Sequence, residues 1–249
     1  MTDRILEIGR RGLDTTDQNV KAMMNNIVNA QTPGFKKSQV QVNSFPVMLQ
    51  KAQNKSAGAQ AMVPEVKSVQ QDKTHGALLR TGSPTDLAVV GEGYFALEGA
   101  SGELYTRDGR FTLDENGVLK SVSGRNPVLG QGGSIAVVPG SSIEIMQNGD
   151  IMSDGAKIDT MKIVVFEDPS KLESVNNVVF KVPENGSLIY SVNENPRVLQ
   201  GYIEASNVNI MDEMMQMIFL QRVYGFDAKI IQTRDASLTR SLEMGRPAQ

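Results

Sequence analysis

A search for chemistry in this chain begins at His75, its one histidine, because imidazole is the side chain that most readily moves protons or binds zinc near neutral pH. It stands alone. A zinc site needs further imidazole or thiolate ligands, and the chain contains no cysteine. Ser-His-Asp catalysis would have to use the same histidine, and no Gly-x-Ser-x-Gly elbow is present to expose a serine. Its neighbours Asp72, Lys73 and Thr74 are polar, so His75 reads as a solvated loop residue. Two glycine runs, Gly91-Glu92-Gly93 and Gly130 to Gly133, imitate phosphate loops in composition only. A dinucleotide site needs its glycines to open a helix, whereas Tyr94-Phe95 and Ser134 to Val138 continue as strand-like residues. Asp114 to Gly117 offers oxygen ligands without the glycine and glutamate spacing of a calcium loop, and reads as a turn. Asp168 and Glu173 carry no signal as a catalytic pair, because that role depends on a separation in space that spacing along the chain does not give. No enzyme activity, cofactor, metal or small-molecule substrate is expected.

Composition narrows the classes further. With 249 residues and 40% hydrophobic side chains, the chain can bury a core and is not a disordered polymer. A net charge of -3, with lysine and arginine scattered among acids, provides no basic face for nucleic acid. Aromatics make up only 5%, thin for stacking on sugars or bases. No run reaches the ~18 apolar residues of a membrane helix, and Met1-Thr2-Asp3-Arg4 lacks the layout of a cleavable secretory signal. Without cysteine, folding does not require an oxidising compartment.

The elements that would position any site divide into helical ends and a β-rich middle. Leu6, Leu13, Val20 and Ile27 recur every seven residues, with Gly9, Thr16, Met23 and Ala30 three positions after each. Ile210, Met217, Tyr224, Ile231 and Leu238 repeat the period near the other end. A strict seven-residue repeat belongs to helices that wind around other helices. The first helix is expected over about 3–30, broken by Thr32-Pro33-Gly34. The last is expected over about 209–242, with Asn209 as its cap and Asp212 and Glu213 in its first turn. Gly9 lets a neighbouring helix approach or marks a frayed start, and Gly225 marks a tight contact or a bend. Residues 39–45 read as a strand and 51–61 as a polar linker. From Leu78 onward short β-like runs, including 87–90, 94–97, 105–107, 111–113, 135–138, 143–146, 161–166 and 178–182, alternate with turn pairs. Those pairs are Asp108-Gly109, Asn116-Gly117, Asn148-Gly149 and Asn185-Gly186. The expected fold class is α+β, with long N- and C-terminal helices forming a coiled coil and a central antiparallel β-rich domain. The boundaries are 1–35 for the first assembly helix, 36–80 for an extended segment and linker, 81–203 for the β domain and 204–249 for the second assembly helix.

The run from Asn25 to Lys36 (NNIVNAQTPGFK) resembles the N-terminal signature of the bacterial flagellar rod and hook proteins. Val28 departs from it, where the signature usually has alanine. Supporting runs are Glu204 to Asn209 (EASNVN), Glu213-Met214, Met217-Ile218 and Gln221 to Tyr224. Thr81 to Phe95 and Tyr105 to Phe111 are similar to the same family's middle domain, so the likeness covers nearly the whole chain. It implies an axial building block, exported by the flagellar type III apparatus, that polymerises with itself and other rod and hook proteins in the basal body across the periplasm. Terminal helices would form an inner coiled-coil tube, with the β domain outside.

The resemblance adds Asn26, Asn29, Thr32, Gly34, Phe35, Asn207, Val208, Asn209, Met214, Ile218 and Gln221 to the heptad residues as assembly positions. Residues 127–135 are most like the proximal rod type, with the distal rod and hook types as alternatives within the family. A secreted coiled-coil adhesin with a β-rich head would share the layout, and a hydrolase would need an unsuspected carboxylate pair. The methionine cluster Met211, Met214, Met215 and Met217 suits a helix with varied neighbours or ordinary core packing.

Overall fold

The structure, a computed structural model, describes residues 2–47, 61–183, 189–193 and 195–244. The expected linker lies outside these residues except for Ala61, as do the Asn185-Gly186 turn and the side chains of Leu6, Ile231 and Leu238.

Helix α1 spans Thr2–Val28, and strands β1 (Ser38–Val47) and β2 (Ala61–Gln71) form a two-stranded sheet. The β-rich stretch follows as β3 (Leu78–Arg80), β4 (Leu87–Val89), β5 (Tyr94–Gly99), β6 (Gly102–Thr106), β7 (Phe111–Leu113) and β8 (Leu119–Ser121). It continues through β9 (Ile143–Ile145), β10 (Asp150–Ser153), β11 (Ala156–Thr160), β12 (Ile163–Phe166), β13 (Glu173–Ser174) and β14 (Val179–Lys181). Last come β15 (Tyr190–Val192), β16 (Val198–Gln200), β17 (Tyr202–Glu204) and helix α2, Ile210–Met244. The chain divides into two compact units, one built from α1, β1, β2 and α2, the other from Val28–Lys37 and Gln71–Val208.

The second unit is organised by a six-stranded antiparallel sheet in the order β13-β14-β6-β5-β12-β15. Side chains alternate across a strand, and here both faces are buried. Phe95, Leu97, Ile163 and Val179 enter a large apolar core shared with Phe35, Leu87, Leu119 and Ile151. Tyr94, Ala96, Tyr105, Val164, Phe166 and Phe180 line the opposite face, where Tyr94 and Tyr105 meet Phe166 edge to face.

Turn chemistry accounts for several hairpins. Asn116-Gly117 joins paired β7 and β8, and Asn148-Gly149 joins paired β9 and β10. Between β10 and β11, Asp154 and Gly155 take φ of 48° and 82°, the two positive values of a tight hairpin turn. Asp108-Gly109 differs from the expected hairpin, because β6 pairs with β5 and β14 while β7 pairs with β8. Residues 135–138 are not a strand but contribute a single isolated bridge, Ala136 with Val118, although Ile135 and Val137 are buried. β2 was not expected as a strand.

The fold class expected from the sequence is corrected. The described chain is strand-rich, with seventeen strands, two α-helices and a short 3-10 turn of helix at Pro169–Lys171, and the α-helices are not wound into a coiled coil. A coiled-coil seam buries its heptad residues along its length. Here Ile210 and Tyr224 are exposed, and Leu13, Val20, Met23, Ile27 and Met217 are only half-buried. The fully buried side chains described on the helices are polar: Thr16 and Asn26 on α1 and Glu213 on α2. Asn26 donates to Glu213 at 3.0 Å, and a Cβ at Gly12 would lie 3.8 Å from Asp227, so the helices approach through polar and small groups. Among the described residues nothing lies within 4 Å of where a Cβ at Gly225 would be, and α2 runs through it unbroken.

Candidate assembly-junction site

The chain passes between the two units at 27/28, 37/38, 70/71 and 208/209. On the β-unit side, residues next to these crossings are tied into one polar cluster. The local sequence explains the first part. After α1, Thr32 donates its amide to the Asn29 carbonyl at 3.0 Å, and Phe35 donates to Thr32 at 3.2 Å. Pro33 presets φ, and Gly34 adopts a φ of 71°, the arrangement of a type II turn. Glycine is required twice over, since a Cβ here would strike the Asp108 backbone amide. The turn drives Phe35 into the main core, 1% exposed, and its Gly34 amide donates to the Glu204 carbonyl at 2.8 Å.

Glu204 is the centre of the cluster and is 2% exposed. One carboxylate oxygen accepts from Lys36 Nζ at 2.6 Å and from the Gly76 amide at 3.0 Å, while the other accepts from Arg107 at 3.1 Å. Lys36 also donates to the Thr74 carbonyl at 2.8 Å. Arg107 reaches the Gly91 carbonyl at 2.6 Å and lies over the Tyr94 ring, 5.3 Å from its centroid. Burial by itself would raise the Glu204 carboxyl, but the charges of Arg107 and Lys36 hold it below the usual value. Burial pulls the Lys36 amine down against the pull of Glu204. Lys73, desolvated and repelled by Lys36, is lowered to about 8. His75 stands 3.7 Å from Glu204 with a half-exposed side chain.

Asn207 ties three of the crossings together. Its carbonyl oxygen accepts the Lys37 amide at 2.7 Å, and its amide nitrogen donates to the Asp72 carbonyl at 3.0 Å and the Thr74 carbonyl at 3.2 Å. Asp72 in turn donates its amide to the Lys37 carbonyl at 2.8 Å. Asn29, 5% exposed, accepts from the Asn177 side chain at 2.9 Å. In the helical unit, Asn26 does equivalent work: it exchanges two hydrogen bonds with the Ser38 backbone, at 2.8 and 2.9 Å, and binds Glu213. Asn209 caps α2, accepting from the Met211 amide at 3.1 Å.

The sequence-derived positions therefore fall into two classes. Asn26, Asn29, Gly34 and Phe35 are buried inside the chain, with Thr32, Asn207 and Val208 half-buried beside them. Asn209, Met214, Ile218, Gln221 and Tyr224 are exposed. Lys36, Arg107 and Glu204 were not singled out in the sequence, although each lies in a run quoted above. Local sequence offered little signal: Lys36 precedes Lys37, Arg107 stands between Thr106 and Asp108, and only Glu204 lies between apolar residues, Ile203 and Ala205. The other singled-out acids are satisfied locally: Asp168 binds Ser170 and Lys171, Glu173 pairs with Lys181, and Asp114 closes its own turn.

Comparison with known proteins places these features. Residues 199–244 match the model described as flagellar basal body rod FlgEFG protein C-terminal, and residues 88–153 match that of the flagellar hook protein FlgE/F/G D1 domain. The flagellar basal-body rod protein FlgF of Caulobacter vibrioides is 31% identical over 241 residues, 96% of each chain. The chain belongs to the flagellar rod and hook protein family. FlgG of Buchnera aphidicola subsp. Schizaphis graminum is 30% identical over 256 residues, covering 94% of this chain and 97% of its own. FlgG of Bacillus subtilis is 29% identical over 268 residues, 98% and 99% of the two chains. Within this family chain, the junction takes Glu204 and Asn207 from the first matched segment and Arg107 from the second.

Proposed function

We infer that this chain is a structural subunit of the flagellar basal-body rod, of the proximal rod type, and not an enzyme. It assembles with copies of itself and with other rod and hook axial proteins, reaching the periplasm-spanning rod through the flagellar export apparatus. The observation that carries this reading is the outward stripe on α2. Met211, Met214, Met215, Ile218, Phe219 and Phe226 are each at least half exposed; the first five are spaced by three and four and Phe226 follows two turns on, the spacing of one helix face. A long helix that leaves six large apolar side chains in water has burial still to gain, at roughly 1.5–3 kcal/mol for each one fully covered. Helices of neighbouring subunits are the proposed cover, and the methionines suit a surface that meets neighbours of differing shape.

In this reading the buried positions Asn26, Asn29, Gly34, Phe35 and Asn207 act on assembly indirectly, by fixing the chain where it enters and leaves the helical unit. The stripe makes the contacts. Ile218→Asp, at matched export, should leave the isolated protein folded and remove it from purified basal bodies. Normal incorporation of that variant, with swimming unchanged, would refute the stripe as the contact surface.

A further inference from the structure

His75 has no part in the assembly contacts just described, yet it sits at the mouth of the buried charge cluster. Lys36, Arg107 and Glu204 are 1%, 4% and 2% exposed, so two cations share one carboxylate out of reach of water. The His75 ring is the member of this group that solvent reaches, its side chain 46% exposed and its Nδ1 3.7 Å from Glu204 Oε1. A cavity of about 320 Å³ opens beside it, lined also by Lys73, Glu92, Tyr94, Arg107 and Glu167. Asp72 lies in the same loop, and its carboxylate accepts from the Thr74 amide.

We propose that His75 and Glu204 form an acid-sensitive latch, in which protonation of His75 sets a third cation against Glu204 and loosens the hold of Lys36 and Gly76 on it. The geometry makes this competitive: Lys36 Nζ, the Gly76 amide and His75 Nδ1 all face the same oxygen, Oε1. Two acids, Glu92 and Glu167, and two cations, Lys73 and Arg107, line the cavity beside His75, and of these the Arg107 charge disfavours its protonated form. Burial, then the charges of Arg107 and Lys36, hold the His75 imidazole below its ordinary value of 6.5. A histidine lowered in this way is favoured neutral in the fold. Its contribution to stability is complete above the ordinary value and is lost as the pH falls through the folded one. Glu204, also held below its ordinary value, acts in the same direction at lower pH.

The consequence is an ordered response to acid, in which the junction loosens while the sheet stays intact. This rests on the assembly reading, in which the cluster fixes the chain where it leaves the β unit, but the test uses the isolated monomer and does not depend on rods. Amide exchange is followed on the full chain, at a concentration verified as monomeric, from pH 7.5 to 5, with rates corrected for the intrinsic effect of pH. Protection of the Gly76 amide, which donates to Glu204, should fall severalfold across this range. The Ala96 amide, which donates to the Lys162 carbonyl inside the sheet, should hold. In His75→Gln the Gly76 response should be flat, and an NMR titration of the wild-type ring should give a midpoint under 6.5. Gly76 protection that stays constant in the wild type, or falls equally in His75→Gln, would overturn the latch. So would a ring that titrates at or above the ordinary value. Assembly failing for Ile218→Asp, or not failing, leaves this result unaffected.

Discussion

The six-stranded sheet and helix α2 treat their apolar side chains in opposite ways. In the sheet, Phe95, Leu97, Ile163 and Phe180 are completely buried, and both faces are covered by the same chain. On α2, Phe219 is 66% exposed and Met211 69%. Among the described residues, no helix is long and apolar enough to cross a membrane. A sheet that satisfies both of its faces can be stable alone, whereas a helix that leaves its apolar stripe in water gains stability when another chain arrives. The Glu204 cluster of the β unit is neither. Its groups are as buried as the core, but they are charged, so its stability depends on each partner being present.

The contrast can be broken most sharply at a pair of phenylalanines. Phe95→Ala should cost the isolated protein about 3–5 kcal/mol, because it opens a cavity in a filled core, and thermal unfolding followed by circular dichroism will read it. Phe219→Ala should change the same melt by no more than about 0.5 kcal/mol and show its effect only in rod incorporation. An equal loss for both would mean that α2 is already covered in the isolated chain.

Gly34→Val tests the junction with the next largest effect. Positive φ costs a β-branched residue about 1–2 kcal/mol, and the collision with the Asp108 backbone adds to it. Urea unfolding should show a loss of about 2 kcal/mol or more; an unchanged midpoint would show that the turn can open without strain on the β unit.

Asn26→Ala should cost about 1–3 kcal/mol, since it takes their side-chain partner from the half-buried Ser38 amide and carbonyl and from the buried Glu213. The check is faster exchange at Ser38 with the sheet amides unchanged. Loss spread evenly through the sheet would show that the two units unfold as one. The smallest effect is expected at the start of α2, where Asn209→Ala removes a cap worth about 1 kcal/mol and should fray only the first turn. Exchange at Met211 reads that directly.

The local features were legible because their causes are local. Both helix spans, the Asn209 cap and the Asn116-Gly117 and Asn148-Gly149 hairpins follow from residues within a few positions of one another. Asp108-Gly109 has the same turn chemistry but makes no hairpin, because the flanking strands find different partners. The seven-residue stripe was misleading for a related reason. Periodicity states which residues share a helix face, and it does not state whether another helix lies along that face. The stripe that is left exposed follows intervals of three and four from Met211 to Phe219, with Phe226 two turns on, and it runs through residues the heptad reading passed over, Met211, Met215, Phe219 and Phe226.

The helical ends, the β-rich middle and the sharp turn at Thr32-Pro33-Gly34 were readable from residue order alone. The likeness of its motifs to the rod and hook family was also readable there. That the sheet buries both faces, and that Asn26 and Phe35 face inward, emerges only from contacts between distant segments. Tertiary structure alone likewise brings Lys36 and Arg107 to Glu204 across 168 and 97 residues of chain. The reason is physical: a cap or a turn is set by neighbours in sequence, whereas a buried charge is tolerable only where partners from distant segments converge on it.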